Sequence, residues 1–143
     1  MIFSNPYPNL ELKDLPIFIN LLFTQFPNKR IFCLYGDLGA GKTTISKEII
    51  RNLTAITTVT SPTFNIVQTY SGLGNFVYHY DLFRLKHESE LYEIGLCDNL
   101  ENNYNIIEWP ELAENLLCGI NRLNLKILTN EDDTRYIEIL DFI

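Results

Sequence analysis

Cysteine is scarce and poorly placed for cross-linking: Cys33, Cys97 and Cys118 are far apart, odd in number, and form no C-x-x-C pair. Such a set offers neither a disulfide framework nor a zinc knuckle, and it fits a reducing compartment. Positive charge is also short, because 11 Lys and Arg against 18 Asp and Glu leave a formal charge of −7. Affinity for nucleic-acid backbones comes chiefly from clustered Lys and Arg, so a large RNA-binding surface is disfavoured and any link to RNA would run through a partner. No uninterrupted apolar run approaches membrane-spanning length, and no basic segment followed by an apolar stretch and a small-residue cleavage site is present. The expectation is a cytoplasmic protein without membrane contact.

What is present is an ordinary core-forming composition. The chain has 143 residues, of which 46% are hydrophobic, with no internal repeat or low-complexity run. That length suits one packed domain, read as 1–143, and is too short for two comfortable ones. Acidic residues from Glu88 to Glu101 and from Glu131 to Asp133 read as solvated surface or as a docking face for a basic partner.

The segment Gly36-Asp37-Leu38-Gly39-Ala40-Gly41-Lys42-Thr43 fits the phosphate-loop pattern G-x-x-x-x-G-K-[ST] at every fixed position. Its setting fits too. Ile31 to Tyr35 is a short apolar run of strand-forming residues, and Ile45, Ile49, Ile50 and Leu53 recur at helical spacing after Lys42. Glycines let successive backbone N–H groups turn inward around a phosphate, and the helix N-terminus adds a favourable dipole. In this pattern Lys42 neutralises the β- and γ-phosphates, and the Thr43 hydroxyl takes one position on magnesium.

Elsewhere, Leu15, Phe18, Ile19, Leu22, Phe23 and Phe26 predict a helix after an Asp14 cap, its aromatic stripe facing the core. Thr54 to Phe64 reads as a hydroxyl-rich loop. Asn65 to Ser71 and Phe76 to Asp81 predict an antiparallel hairpin around Gly72-Leu73-Gly74-Asn75. Glu88 to Ile94 reads as a short helix, Tyr104 to Ile107 as a strand delivering Glu108, and Trp109-Pro110-Glu111 as the start of another helix. Leu123, Leu125 and Ile127 alternate along a strand, and Tyr136 to Phe142 returns beside it as a hairpin at the sheet edge. The fold class is α/β: a P-loop NTPase domain whose mixed central sheet, a parallel core plus antiparallel hairpins, is flanked by helices.

A phosphate loop needs an acid at the end of another strand, to hold magnesium or to orient the attacking water. Asp81 and Glu108 are the two candidates, although each could instead cap the segment that follows it. Thr63, in Ser61-Pro62-Thr63, belongs either to a switch-like loop that senses the γ-phosphate or to a plain connection. His79 shares a strand face with Val77 and Asp81, so it either packs structurally or contacts the site. Trp109 either shields the nucleotide pocket or fills the core.

The combination of the phosphate loop through Thr44, Ser61-Pro62-Thr63-Phe64, His79-Tyr80-Asp81-Leu82-Phe83-Arg84-Leu85 and Ile107-Glu108-Trp109-Pro110-Glu111 resembles the TsaE family, also called YjeE. Asp133-Thr134-Arg135-Tyr136-Ile137 looks like its closing segment. The chain departs from the family pattern at Asn28-Lys29-Arg30, where a glycine is usual, in lacking a glycine before Ser61, and at Phe83, where tyrosine is commoner. The resemblance implies a small ATPase that works with the TsaD and TsaB proteins in making threonylcarbamoyladenosine in tRNA, resetting that assembly by ATP hydrolysis. It implies Gly39, Ala40, Gly41, Lys42, Thr43 and Thr44 around the phosphates, Thr43 and Glu108 on Mg2+, Asp81 and Thr63 in hydrolysis, and Trp109 and Arg135 near the nucleotide. ATP rather than GTP follows mainly from the resemblance, since no Asn-Lys-x-Asp guanine motif occurs. A small-molecule kinase and a nucleotide-dependent interaction module that does not hydrolyse are the alternatives.

Overall fold

The computed structural model describes residues 1–60 and 65–140. Its strands are β1 (Tyr7–Leu10), β2 (Ile31–Tyr35), β3 (Val67–Gly72), β4 (Asn75–Asp81), β5 (Tyr104–Glu108), β6 (Leu123–Thr129) and β7 (Arg135–Leu140). They join in one sheet of order β1-β7-β6-β2-β5-β4-β3. The centre, β6-β2-β5-β4, is parallel. Around it, β3 pairs antiparallel with β4, β7 with β6, and β1 with β7. This is the mixed sheet expected from the sequence.

The central strand β2 is covered on both faces, which explains its unbroken apolar run. Phe32 and Leu34 pack with buried Phe18, Ile19 and Leu22 of α1 (Leu15–Gln25) and with Ile45, Ile49 and Ile50 of α2 (Lys42–Thr54). Ile31 and Cys33 point the other way, toward Leu91 of α3 (Ser89–Glu93), Leu96 of α4 (Leu96–Asn99) and Leu117 of α5 (Glu114–Leu117). The aromatic stripe of α1 is core, with Phe23 edge-on to Phe32 at 5.5 Å between centroids. Asp14 precedes α1 without bonding through its side chain, and Pro16 sits in the first turn, where no N–H is missed.

The β3–β4 hairpin is docked onto the end of α2. A Cβ on Gly72 would lie 2.2 Å from the Thr54 carbonyl oxygen, and Asn75 Nδ2 donates to the Leu53 carbonyl at 2.7 Å. That contact fixes β4, and therefore Asp81, relative to the helix that follows the phosphate loop.

Besides the missing Asp14 cap, the structure differs from expectation in three places. The β6–β7 hairpin is not the sheet edge, because β1 adds outside β7. Only Leu10 of β1 is buried, and Pro8 cannot donate to a ladder, so this short edge strand carries no alternating signal. The helix expected from Pro110 begins as a 3-10 turn, Pro110–Ala113, before α5. The four-residue α4, entered through Gly95 in a left-handed conformation, is too short for a periodicity to reveal. At the departures from the family pattern, Lys29 Nζ donates to Asn121 Oδ1 at 2.6 Å and Arg30 covers the Tyr104 ring. Among the described residues no helix is long and apolar enough to cross a membrane.

Candidate active site

The phosphate loop leaves β2 beside β6 and turns into α2. A Cβ on Gly36 would stand 2.6 Å from the Ile127 carbonyl oxygen, so the loop exits through a gap only glycine fits. Gly41, with φ at 101°, is the residue from which α2 starts, a left-handed conformation that L side chains rarely adopt. Arg135 braces the loop from outside, donating from Nε to the Ala40 carbonyl at 3.0 Å.

Lys42 is buried although charged. Its ammonium donates to the Gly36 and Asp37 carbonyl oxygens, at 2.5 and 2.9 Å, and lies 4.0 Å from the centre of the Trp109 ring. Burial lowers its pKa, while Glu108, Glu111, Asp81 and Asp37 pull it back up.

Parallel pairing of β4 and β5 sets Asp81 directly opposite Glu108, and β2 sets Leu34 on the other side of Glu108. Glu108 shares the face of Leu34, which is the face covered by α2. Glu108 Oε1 accepts from the Thr43 hydroxyl at 2.8 Å, and Oε2 accepts from the Ser46 hydroxyl at 3.1 Å. The same Oε2 lies 2.5 Å from His79 Nε2, and both side chains are buried. Glu108 is thus no cap for the Pro110 turn. Asp81 does act locally, since its Oδ1 accepts the Phe83 N–H at 3.1 Å. Burial raises the Asp81 pKa; the Phe83 N–H opposes the rise and the Glu108 charge adds to it.

Gly39, Gly41, Lys42, Thr43, Thr44, Asp81, Glu108, Trp109 and Arg135 all line one cleft of about 330 Å³. Gly36 and Asp37 border an adjoining cavity that shares Trp109 as a wall, and Ala40 is buried beneath the loop. Trp109 is half-buried and tilted against exposed Phe83 at 4.8 Å between centroids; it lines the cleft and also packs against the core layer of Ile31 and Cys33. Thr63 lies outside the described residues.

Ser46 is a contact the sequence reading lacks, and His79 is one it leaves open between packing and the site. Ser46 lies one helical turn after Thr43, so it shares the face that meets Glu108. His79 lies two residues before Asp81, so it shares that strand face, but only the β4–β5 register shows that it reaches Glu108. Among the described residues no group of three or more His, Cys, Asp or Glu could hold a metal. Magnesium does not require one. It takes one or two protein oxygens with waters and substrate phosphates, and the adjacent Thr43 hydroxyl and Glu108 carboxylate fit that demand.

Comparison with known proteins finds relatives over most of the chain. The family model described as "Threonylcarbamoyl adenosine biosynthesis protein TsaE" matches residues 11–137. A Rickettsia felis protein named "tRNA threonylcarbamoyladenosine biosynthesis protein TsaE" is 40% identical over 132 residues, covering 84% of this chain and 77% of that protein. Its namesake in Rickettsia bellii is 44% identical over 118 residues, covering 81% and 80%. The namesake in Bacillus subtilis is 37% identical over 108 residues, covering 75% and 66%. The crystal structure of Bacillus subtilis YdiB superposes with a TM-score of 0.68 at 28% identity, covering 97% of this chain and 86% of that one.

Proposed function

Because this chain belongs to the TsaE family, whose role is in tRNA threonylcarbamoyladenosine biosynthesis, we propose that it serves there as a magnesium-dependent ATPase that binds TsaD–TsaB and resets it between turnovers. One observation carries the catalytic part: the phosphate-loop lysine, the Thr43–Glu108 pair and Asp81 converge on a single cleft.

The chain's own groups divide the work. Backbone N–H groups from Gly39 to Thr44, at the start of α2, cradle the phosphates of ATP. Lys42 exchanges its two loop carbonyls for the β- and γ-phosphate oxygens and neutralises charge that builds during transfer. Thr43 and Glu108 would hold magnesium, which supplies a Lewis acid against the phosphate charge. Asp81 orients a water and accepts its proton as the water oxygen bonds to the γ-phosphorus and the bond to the β,γ-bridging oxygen breaks. A carboxylate whose pKa is raised by burial is the better base for this. Trp109, backed by the Phe83 ring, walls the cleft against bulk water, and Arg135 holds the loop in shape. Thr63 is assigned to sensing the γ-phosphate.

The formal charge of −7 supports a protein that meets tRNA only through its partners, and the scattered, odd-numbered cysteines support a cytoplasmic setting. The test is phosphate release from ATP and magnesium by the purified protein, alone and with TsaD and TsaB, with Lys42→Ala as control. Partner-stimulated release that vanishes in the control is expected. Absence of stimulation would overturn the reset role, and a phosphorylated metabolite appearing faster than free phosphate would make the chain a kinase.

A further inference from the structure

Glu108 divides its two oxygens between two tasks. Oε1 lies beside the Thr43 hydroxyl at the cleft, whereas Oε2 is turned inward to His79 Nε2 and Ser46 Oγ. Ser46 has a single proton and also lies 2.9 Å from the Lys42 carbonyl, so it cannot donate to both acceptors at once. His79 is therefore the donor on which Oε2 depends.

Among the described residues, nothing else around His79 calls for an imidazole. The side chain is fully buried, its cross-strand neighbour in β5 is Ile106, and Val77 precedes it on the same face of β4. Its Nδ1 has no hydrogen-bond partner among the described residues. An apolar side chain would fill this position without leaving a ring nitrogen orphaned, so the Nε2 bond to Glu108 is what accounts for histidine here. A hydrogen placed on Nδ1 would have no acceptor among the described residues, whereas one on Nε2 faces Glu108 Oε2.

We infer that His79, assisted by Ser46, is a positioning residue that pins Glu108 Oε2 and thereby presents Oε1, next to the Thr43 hydroxyl, to the metal. The inference rests on the reading of Glu108 as a magnesium ligand. It assigns to β4 two separate duties on one face: Asp81 toward the water, and His79 toward the carboxylate on the neighbouring strand.

The test compares His79→Gln, whose side-chain amide N–H reaches about as far as Nε2, with His79→Asn, whose amide stops near the place of Nδ1. Both remain polar, and thermal melting checks that both fold. Calorimetry then measures affinity for a non-hydrolysable ATP analogue with magnesium and with EDTA, in the parent, both His79 variants, Ser46→Ala and Glu108→Gln. Removal of a partner that orients a metal ligand weakens metal affinity by about 10–100-fold. His79→Asn is expected to lose at least about ten-fold in the concentration of magnesium needed for tight binding, with EDTA affinity within about two-fold of the parent. His79→Gln is expected to recover most of that loss, and Ser46→Ala to lose only about two-fold. Equal magnesium dependence in His79→Asn and the parent, beside an impaired Glu108→Gln, overturns the positioning role alone. So does a His79→Gln as impaired as His79→Asn. An unimpaired Glu108→Gln overturns the metal-ligand reading and the inference with it. If His79→Asn does not fold, Ser46→Ala decides: a magnesium dependence identical to the parent's overturns the inference.

Discussion

Replacing Asp81 with asparagine separates its role toward water from its role in the backbone. The turn after β4 keeps its bond, because an amide oxygen accepts the Phe83 N–H as Oδ1 does. The amide cannot accept a proton from the attacking water. Loss of a general base lowers the rate by about 10²–10⁴-fold, or about 3–5 kcal/mol of barrier. Binding moves the other way, since the substitution removes one negative charge from a cleft proposed to take a polyanion. Affinity for ATP should therefore equal or exceed the parent's.

Stability gives an independent check on the same substitution. Burial raises the Asp81 pKa, and the Glu108 charge reinforces it against the Phe83 N–H and Lys42. A carboxyl whose folded pKa lies above its unfolded one contributes stability below the unfolded value and loses it as pH rises through the folded value. At neutral pH the ionised group is a net burden, so Asp81→Asn should melt at or above the parent temperature and lose this part of the pH dependence. Phosphate release at saturating ATP with TsaD and TsaB, calorimetry and a melting series read the three effects. Turnover within about three-fold of the parent would refute the assignment of Asp81 as base. Many rounds of tRNA modification without hydrolysis would instead make the chain an interaction module.

Two further outcomes follow from neighbouring groups. Trp109 fluorescence should change when ATP and magnesium draw Lys42 from beneath its ring, now 4.0 Å away, and the change should disappear in Lys42→Ala. A silent tryptophan in the parent would remove it from the cleft wall. Cys33, whose pKa is pushed up to about 12 by burial against the pull of Arg122, should resist thiol reagents at about pH 8, while exposed Cys118 reacts quickly. Stoichiometric labelling of Cys33 in the folded protein would show that its layer of core opens readily.

The parts of this fold that could be read from sequence are those governed by near neighbours. Ile31 to Tyr35 and the α2 periodicity are local signals, and strand and helix occur where those signals lie. The position of β1 is not local: four residues with one buried side chain acquire meaning only beside β7. The same distinction runs through the site. Lys42 and Thr43 are announced by their own motif, and Asp81 and Glu108 by strand ends. The bond from His79 to Glu108 joins residues 29 apart in the chain and depends on a register that no periodicity encodes.

Trp109 shows why local rules fail at the proposed catalytic cleft. Its φ of 58° lies in the left-handed region, which costs a non-glycine residue about 1–2 kcal/mol, and the following Pro110 favours an extended conformation instead. Propensity alone would put glycine there. The backbone must nevertheless reverse at this point, because Glu108 has to face α2 while Ala113 is buried against the opposite face of the sheet. Glycine would relax the turn and remove the ring that covers Lys42, leaving a buried ammonium with only two carbonyl oxygens and open water in the cleft. The strain is therefore the consequence of requiring one residue to reverse the chain and to wall the cleft proposed to hold the phosphates, and it marks the residue at which fold and proposed function make opposing demands.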